Sequence, residues 1–316
     1  MNMEYNFDEI IERKGTDTYK YAHVQNVCGR EDVLPMWVAD MDFKTPPFVM
    51  RAIENRLKQQ VLGYTCPPES YYESIVNWCR SHFNWDITTS DINYVPGVVC
   101  GIYLAMQAFT EKGDKILIQE PVYHPFRIVP EGSERVIVWN HLVRTETSFA
   151  MDLEALRRDI KGCKMMILCN PHNPAGILWD AETLRRLAAF CHSRGIIVIS
   201  DEIHCDMALW GLRHIPFATV SPEAAACSIT FAAPSKTFNI AGIVSSYSIV
   251  PDPELRRTFY SYLKANEYDD APLFSPIATI AAFREGEEWR RELLAYLEGN
   301  IESVISYCAA NIPAIR

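Results

Sequence analysis

No apolar run in this chain approaches the roughly 18 residues that a membrane-spanning helix needs. The first thirteen residues, Met1 to Arg13, are polar and acidic and lack the apolar centre of a secretory signal. The expected compartment is therefore the cytoplasm, with no membrane partner. Positive charge is also scarce: 30 Lys and Arg face 40 Asp and Glu, a formal net charge of -10. No basic patch with interleaved aromatics offsets this, which argues against nucleic acid as a partner. The ten cysteines contain no Cys-x-x-Cys pair, and several, such as Cys169 and Cys191, fall inside apolar patterns. They read as reduced, mostly buried small hydrophobes rather than disulfides or zinc ligands, and no metal site is expected. Internal repeats, low-complexity tracts and long linkers are missing too. So are the P-loop and the Gly-x-Gly-x-x-Gly dinucleotide fingerprint.

What the chain does have is a hydrophobic content of 48% over 316 residues, enough for one large core with or without a smaller partner domain. Short β-rich runs recur at Asn93 to Val95, Lys115 to Ile118, Val136 to Val138, Met165 to Leu168, Ile196 to Ile199, Ser228 to Phe231 and Ser246 to Ile249. Helical patterns lie between several of them. Asp152 to Ile160 opens on an acidic cap, and Asp180 to His192 puts Leu184, Leu187, Ala188 and Cys191 on one face. Alternation of this kind implies an α/β fold with a largely parallel sheet covered on both sides. A long helix is expected over Glu285 to Ala310, with an apolar stripe from Leu293 through Ile301 to Cys308. That stripe needs a partner surface: the main body, the N-terminal segment or another chain.

Two residues carry the chemistry. Lys236 sits in the loop Ala233 to Gly242 between two expected strands, and Asp201 closes the apolar run Ile196 to Ser200, 35 residues upstream. A lysine able to form a Schiff base and an acid able to hold a pyridinium nitrogen are the two protein groups that pyridoxal phosphate chemistry most needs. A carboxylate at the C-terminal edge of a buried strand also occupies the usual ligand position of an open α/β sheet, though a cap or turn acid would look the same. The turn Asn170 to Gly176 holds two Asn-Pro steps that could present an asparagine amide rigidly, and turn chemistry alone also accounts for it. In Pro96 to Ile102, a strand passes into a helix whose first N–H groups would favour a phosphate.

Together these segments resemble the fold-type I, aminotransferase-like pyridoxal phosphate enzymes, and within them the MalY/PatB group of cystathionine β-lyases. The motifs that carry the resemblance are Met36 to Phe43, Asn170 to Pro174, Ser200 to Asp206, His214 to Ala218 and Ala233 to Gly242, in that order. The resemblance implies a mostly parallel seven-stranded sheet flanked by helices, with an incomplete small domain. It divides the chain into an N-terminal segment (1–45) serving the small domain and substrate site, a large cofactor-binding domain (46–284) and a long helix leading into the small domain (285–316).

By matched position, Lys236 would carry pyridoxal 5'-phosphate and then move the substrate Cα proton, and Asp201 would pair with the ring nitrogen. Asn173 would bond the ring's phenolic oxygen and Tyr123 would stack on its face. The Val98 and Val99 backbone and the Ser235 hydroxyl would hold phosphate. Tyr64 would reach the cofactor of a neighbouring subunit, implying a homodimer with a shared site. For Tyr64 and Tyr123 the alternative is aromatic core packing. Ala39, Tyr123 and Asn173 would meet the small amino-acid substrate.

Three departures stand beside these matches. Three residues after the aspartate, where many aminotransferases have tyrosine, this chain has His204, as the MalY-like lyases do; it would touch the cofactor or be a hydrogen-bonded core histidine. Ala233 and Val244 replace a serine and an arginine that commonly bind phosphate. Relatives continue for several tens of residues beyond the long helix and supply a carboxylate-binding arginine there, a role that Arg316 does not inherit. The expected reaction is α,β-elimination on cystathionine or a related cysteine S-conjugate, giving pyruvate, ammonia and a thiol. The rivals are transamination by the same fold and a non-catalytic scaffold.

Overall fold

The computed structural model describes residues 5–312 and 314. Met1 to Glu4 and Arg316, where two of the sequence readings fall, lie outside them. Among the described residues nine strands form: β1 Ile92–Val95, β2 Lys115–Glu120, β3 Val136–His141, β4 Val143–Arg144, β5 Phe149–Ala150, β6 Cys163–Cys169, β7 Ile197–Asp201, β8 Ser228–Ala232 and β9 Ser246–Ile249. Seven of them make one sheet in the order β1-β9-β8-β7-β6-β2-β3, while β4 and β5 pair as a separate hairpin. These are the seven β-rich runs expected from the sequence. Strands β8, β7, β6, β2 and β3 run parallel to one another, and β9 runs antiparallel to both β8 and β1.

The sheet is apolar on both faces because its strands alternate between two cores. In β6, Met165, Ile167 and Cys169 pack with Ile102, Phe126 and Phe259. Met166 and Leu168, pointing the other way, pack with Leu156, Leu184 and Leu187. A strand buried on both sides reads as an unbroken hydrophobic run, which is why these strands were visible in the sequence. The covering helices start where acids can cap them. Asp152 accepts the N–H groups of Glu154 and Ala155 ahead of the helix Leu153–Asp159, and Asp180 accepts that of Thr183 ahead of Ala181–His192.

The long helix differs from the expected span. A helix Phe274–Glu285 ends at Gly286, and a second runs Glu287–Asn311. A Cβ at Gly286 would collide with the Ala282 carbonyl and the Phe238 ring, so the chain turns where only glycine fits. The first turns of the second helix pack on the N-terminal segment: Phe7 lies 5.6 Å from Trp289 and Phe43 5.5 Å from Tyr296, ring centre to ring centre. Further along, Val304 and Ile305 stay more than half exposed, so among the described residues the apolar stripe is covered only over its first half. No helix of the described residues is long and apolar enough to cross a membrane.

Candidate active site

The parallel strands end at one edge, and the reactive residues leave from it. Register pairs Cys169 with Asp201 and Asp201 with Phe231, so the C-terminal ends of β6, β7 and β8 stand side by side. The Asn170–Asn173 turn leaves β6, Asp201 closes β7, and the Lys236 loop follows β8. Tyr123 follows β2, and its N–H donates to the Asn173 carbonyl at 3.1 Å, joining the next two loops along the edge.

Asp201 is 5% exposed, and burial pushes its carboxyl up to about 7. Its only hydrogen bond among the described residues comes from the Ile203 N–H at 3.1 Å, while neighbouring Glu202 raises its pKa and Lys236 lowers it. Lys236 is half-buried, and burial lowers the pKa of its amine while Asp40 and Asp201 raise it. The amine therefore lies within the field of the Asp201 carboxylate. It donates to the Ala39 carbonyl oxygen at 3.1 Å.

His204 is partly buried and makes no side-chain hydrogen bond among the described residues, so it is not the bonded core histidine that was one reading of it. Burial and the positive charge of Lys236 bring its pKa down to about 4, which leaves the ring neutral near pH 7. Neither tyrosine is core packing. Tyr123 is 38% exposed, its hydroxyl pKa raised first by burial and then by Asp201, and Tyr64 is fully exposed.

The helix Val98–Phe109 begins at this edge, with Gly97 at φ +105° before it. No atom beyond its chain neighbours lies within 4 Å of where a Gly97 Cβ would stand, and the first N–H groups of the helix, those of Val98 and Val99 among them, have no partner within the helix. Ser235 is buried, and its hydroxyl has no protein partner among the described residues. Of the two substituted positions, Ala233 is buried and Val244 is 41% exposed.

Sequence reasoning gave no role to several residues that build this site. Asp206 accepts hydrogen bonds from Trp78 Nε1 at 2.8 Å and from Thr237 Oγ1 at 3.3 Å, which ties the residue next to Lys236 to the helix Glu69–Phe83. The motifs Met36 to Phe43 and Ala233 to Gly242, far apart in sequence, meet through Asn239. Its side chain bonds the backbone of Met41 and Phe43. Both motifs had been singled out, but only as strings; no periodicity couples them.

An open, mostly parallel α/β sheet with a lysine, a buried acid and a helix N-terminus at its C-terminal edge defines a class of enzymes that bind a phosphorylated ligand there. The family described as "Aminotransferase class I and II" matches residues 31–302, and the chain belongs to it. It is 39% identical over 313 residues to the cystathionine beta-lyase PatB of Bacillus subtilis, covering 98% of this chain and 81% of that protein. A PLP-bound putative aminotransferase from Clostridium difficile superposes with a TM-score of 0.95 at 42% identity, over 98% of this chain and 80% of that one. The PLP-bound C-S lyase of Staphylococcus hominis gives 0.92 at 32% identity, over 99% and 79%.

Proposed function

We propose that this chain is a pyridoxal phosphate-dependent C–S lyase that cleaves cystathionine or related cysteine S-conjugates to pyruvate, ammonia and a thiol. The observation that carries the reading is the Lys236 amine, half-buried at the sheet edge in the field of a buried Asp201 whose carboxyl has no cationic hydrogen-bond donor. The likeness to a cystathionine beta-lyase and to a C-S lyase supports it.

The residues present fit the cofactor. Asp201 lacks the N–H partner that a protonated ring nitrogen would bring. The helix N-terminus at Val98 and the unpaired Ser235 hydroxyl suit a phosphate, and the partly exposed Tyr123 ring, whose backbone is tied to that of Asn173, suits the face of an aromatic ring. Bound at this edge, pyridoxal phosphate supplies an electron sink for the charge that develops at the substrate Cα.

Lys236 would hold the cofactor, and its amine would take the substrate Cα proton; burial favours the neutral amine that this needs. Asp201 would hold the ring-nitrogen proton in place. Neutral His204 lines the wall beside Lys236 without adding a charge that would compete with it. Loss of the Cα proton and of the Cβ–S bond releases the thiol, and water completes the conversion of the remaining three-carbon unit to pyruvate and ammonia.

The same reading includes a homodimer in which the exposed Tyr64 reaches the neighbouring subunit's site, and a cytoplasmic location. It keeps the division into 1–45, 46–284 and 285–316; the break at Gly286 supports the second boundary. Incubating the purified, cofactor-loaded chain with cystathionine tests it. Pyruvate and free thiol in equal amounts are expected. Pyridoxamine phosphate with a sulfur-bearing keto acid would make it an aminotransferase. A visible absorbance band without turnover of any amino acid would make it a scaffold.

A further inference from the structure

Asn239 is a non-glycine residue at φ +52°, in the left-handed region that asparagine tolerates better than most. The backbone there turns its side chain onto the N-terminal segment. Asn239 Oδ1 accepts the Met41 N–H at 3.1 Å, and Nδ2 donates to the carbonyls of Met41 at 3.0 Å and Phe43 at 2.7 Å. Its own carbonyl accepts the Thr45 hydroxyl at 3.2 Å. One side chain thus pairs with a backbone segment much as a neighbouring strand would.

The far side of the segment is held as firmly. Arg13 donates to Asp40 at 2.7 Å, to Asp42 at 2.8 Å and to the Met41 carbonyl at 3.0 Å. Lys20, only 5% exposed, donates to Asp42 at 2.8 Å and to the Asp40 carbonyl at 2.7 Å. Ala39 immediately precedes the clamped residues, and its carbonyl oxygen accepts a hydrogen bond from the Lys236 amine.

We propose that Asn239 is a positioning residue for Lys236 that acts through this segment, clamping residues 40–43 against the lysine loop so that the carbonyl of the adjoining Ala39 orients the amine. An amine with one N–H held by a fixed acceptor has its lone pair directed, and a directed lone pair meets a Cα proton more often than a freely rotating one. The clamp also fixes Asp40 near the amine, whose other charged or titratable neighbours are Asp201 and His204.

The proposal rests on Lys236 as the reacting amine of the lyase reading, so its test reads that amine directly. In the cofactor-free full chain, Lys236 is labelled with an amine-acylating reagent across pH 6–10 and quantified by peptide mass spectrometry. Asn239→Gly keeps the left-handed backbone and removes the clamp; Lys20→Met removes the opposite anchor without touching the lysine loop. Both are expected to free the amine and label it at least about threefold faster at pH 7, with the profile displaced about half a pH unit downward. With cofactor and cystathionine, both are expected to lower kcat about tenfold while changing KM less than about threefold. A Lys20→Met profile that matches the unaltered chain overturns the proposal whether or not Asn239→Gly folds, as does an unchanged profile in a folded Asn239→Gly. Failure of the unaltered chain to make pyruvate would overturn the lyase reading and leave the labelling result standing.

Discussion

His214 Nε2 and Glu202 Oε2 lie 2.7 Å apart with both side chains closed off from solvent, directly behind Asp201. The other Glu202 oxygen accepts the Ser200 hydroxyl at 2.7 Å and the Phe217 N–H at 2.9 Å. One carboxylate therefore satisfies three donors, from the end of β7 and from the segment 214–217, that meet under the site. Glu202→Ala would leave those donors unpaired in the interior and is expected to cost about 3 kcal/mol in urea unfolding. Glu202→Gln, which keeps one acceptor oxygen, should cost less than half of that.

Asp201 makes the cofactor-free protein pH-sensitive in an unusual direction. Its folded value of about 7 lies above the unfolded 3.8, so between those values the folded chain holds a proton that the unfolded chain has lost. Its contribution is greatest at low pH and is lost as pH rises toward 7, by about 1.4 kcal/mol per pH unit at most. Relative to the unaltered chain, Asp201→Asn should therefore be about 2 kcal/mol better placed at pH 7 than at pH 5 in paired urea melts. Asp201→Ala should abolish pyruvate production more completely than it abolishes cofactor binding. Full activity in that variant would remove the mechanism.

His172 works in the opposite sense. It is 2% exposed, neither ring nitrogen has a partner among the described residues, and its ring meets Trp179 edge to face at 5.6 Å. Burial brings its pKa down to about 4 from 6.5, so its contribution is lost as pH falls through that window. His172→Phe keeps the aromatic contact and removes the titration. Its stability relative to the unaltered chain should improve by about 1–2 kcal/mol between pH 8 and pH 5.

Gly101 is where the helix carrying the Val98 and Val99 amides touches the sheet. A Cβ there would stand 2.7 Å from Phe231 Cε1 and 2.9 Å from Cδ1, closer than two carbons can pack. Gly101→Ala must push the helix or the ring aside. We expect a loss of about 1–3 kcal/mol in stability and weaker uptake of pyridoxal phosphate, measured by absorbance titration.

Tyr64 gives a test of the shared site. If it acts across a dimer interface, Tyr64→Ala and Lys236→Ala chains should each be impaired alone. Mixed in equal amounts after dissociation, they should regain about a quarter of the unaltered activity, because half of the dimers are mixed and each of those has one intact site. No recovery on mixing would remove Tyr64 from the neighbouring site.

The strands were legible because each is buried on both faces, which leaves runs such as Ile196 to Ile199 without a polar interruption. Lys236 and Asp201 stood out because each follows such a run. The need for glycine at 286 was not legible, since part of the collision that demands it comes from Phe238, nearly fifty residues upstream. Asn239 was hidden for the same reason: its partners Met41 and Phe43 lie about two hundred residues earlier.

Local pattern alone, then, determined that this chain builds a parallel α/β sheet and sets a lysine and an acid at strand ends, because burial periodicity and turn chemistry are written over a few consecutive residues. Tertiary structure alone decided that these ends share one edge, that Asp201 is held near neutrality by burial, and that the Ala39 carbonyl faces the Lys236 amine. Desolvation and hydrogen bonding depend on which distant segments close around a group, and that is known only once the chain has folded.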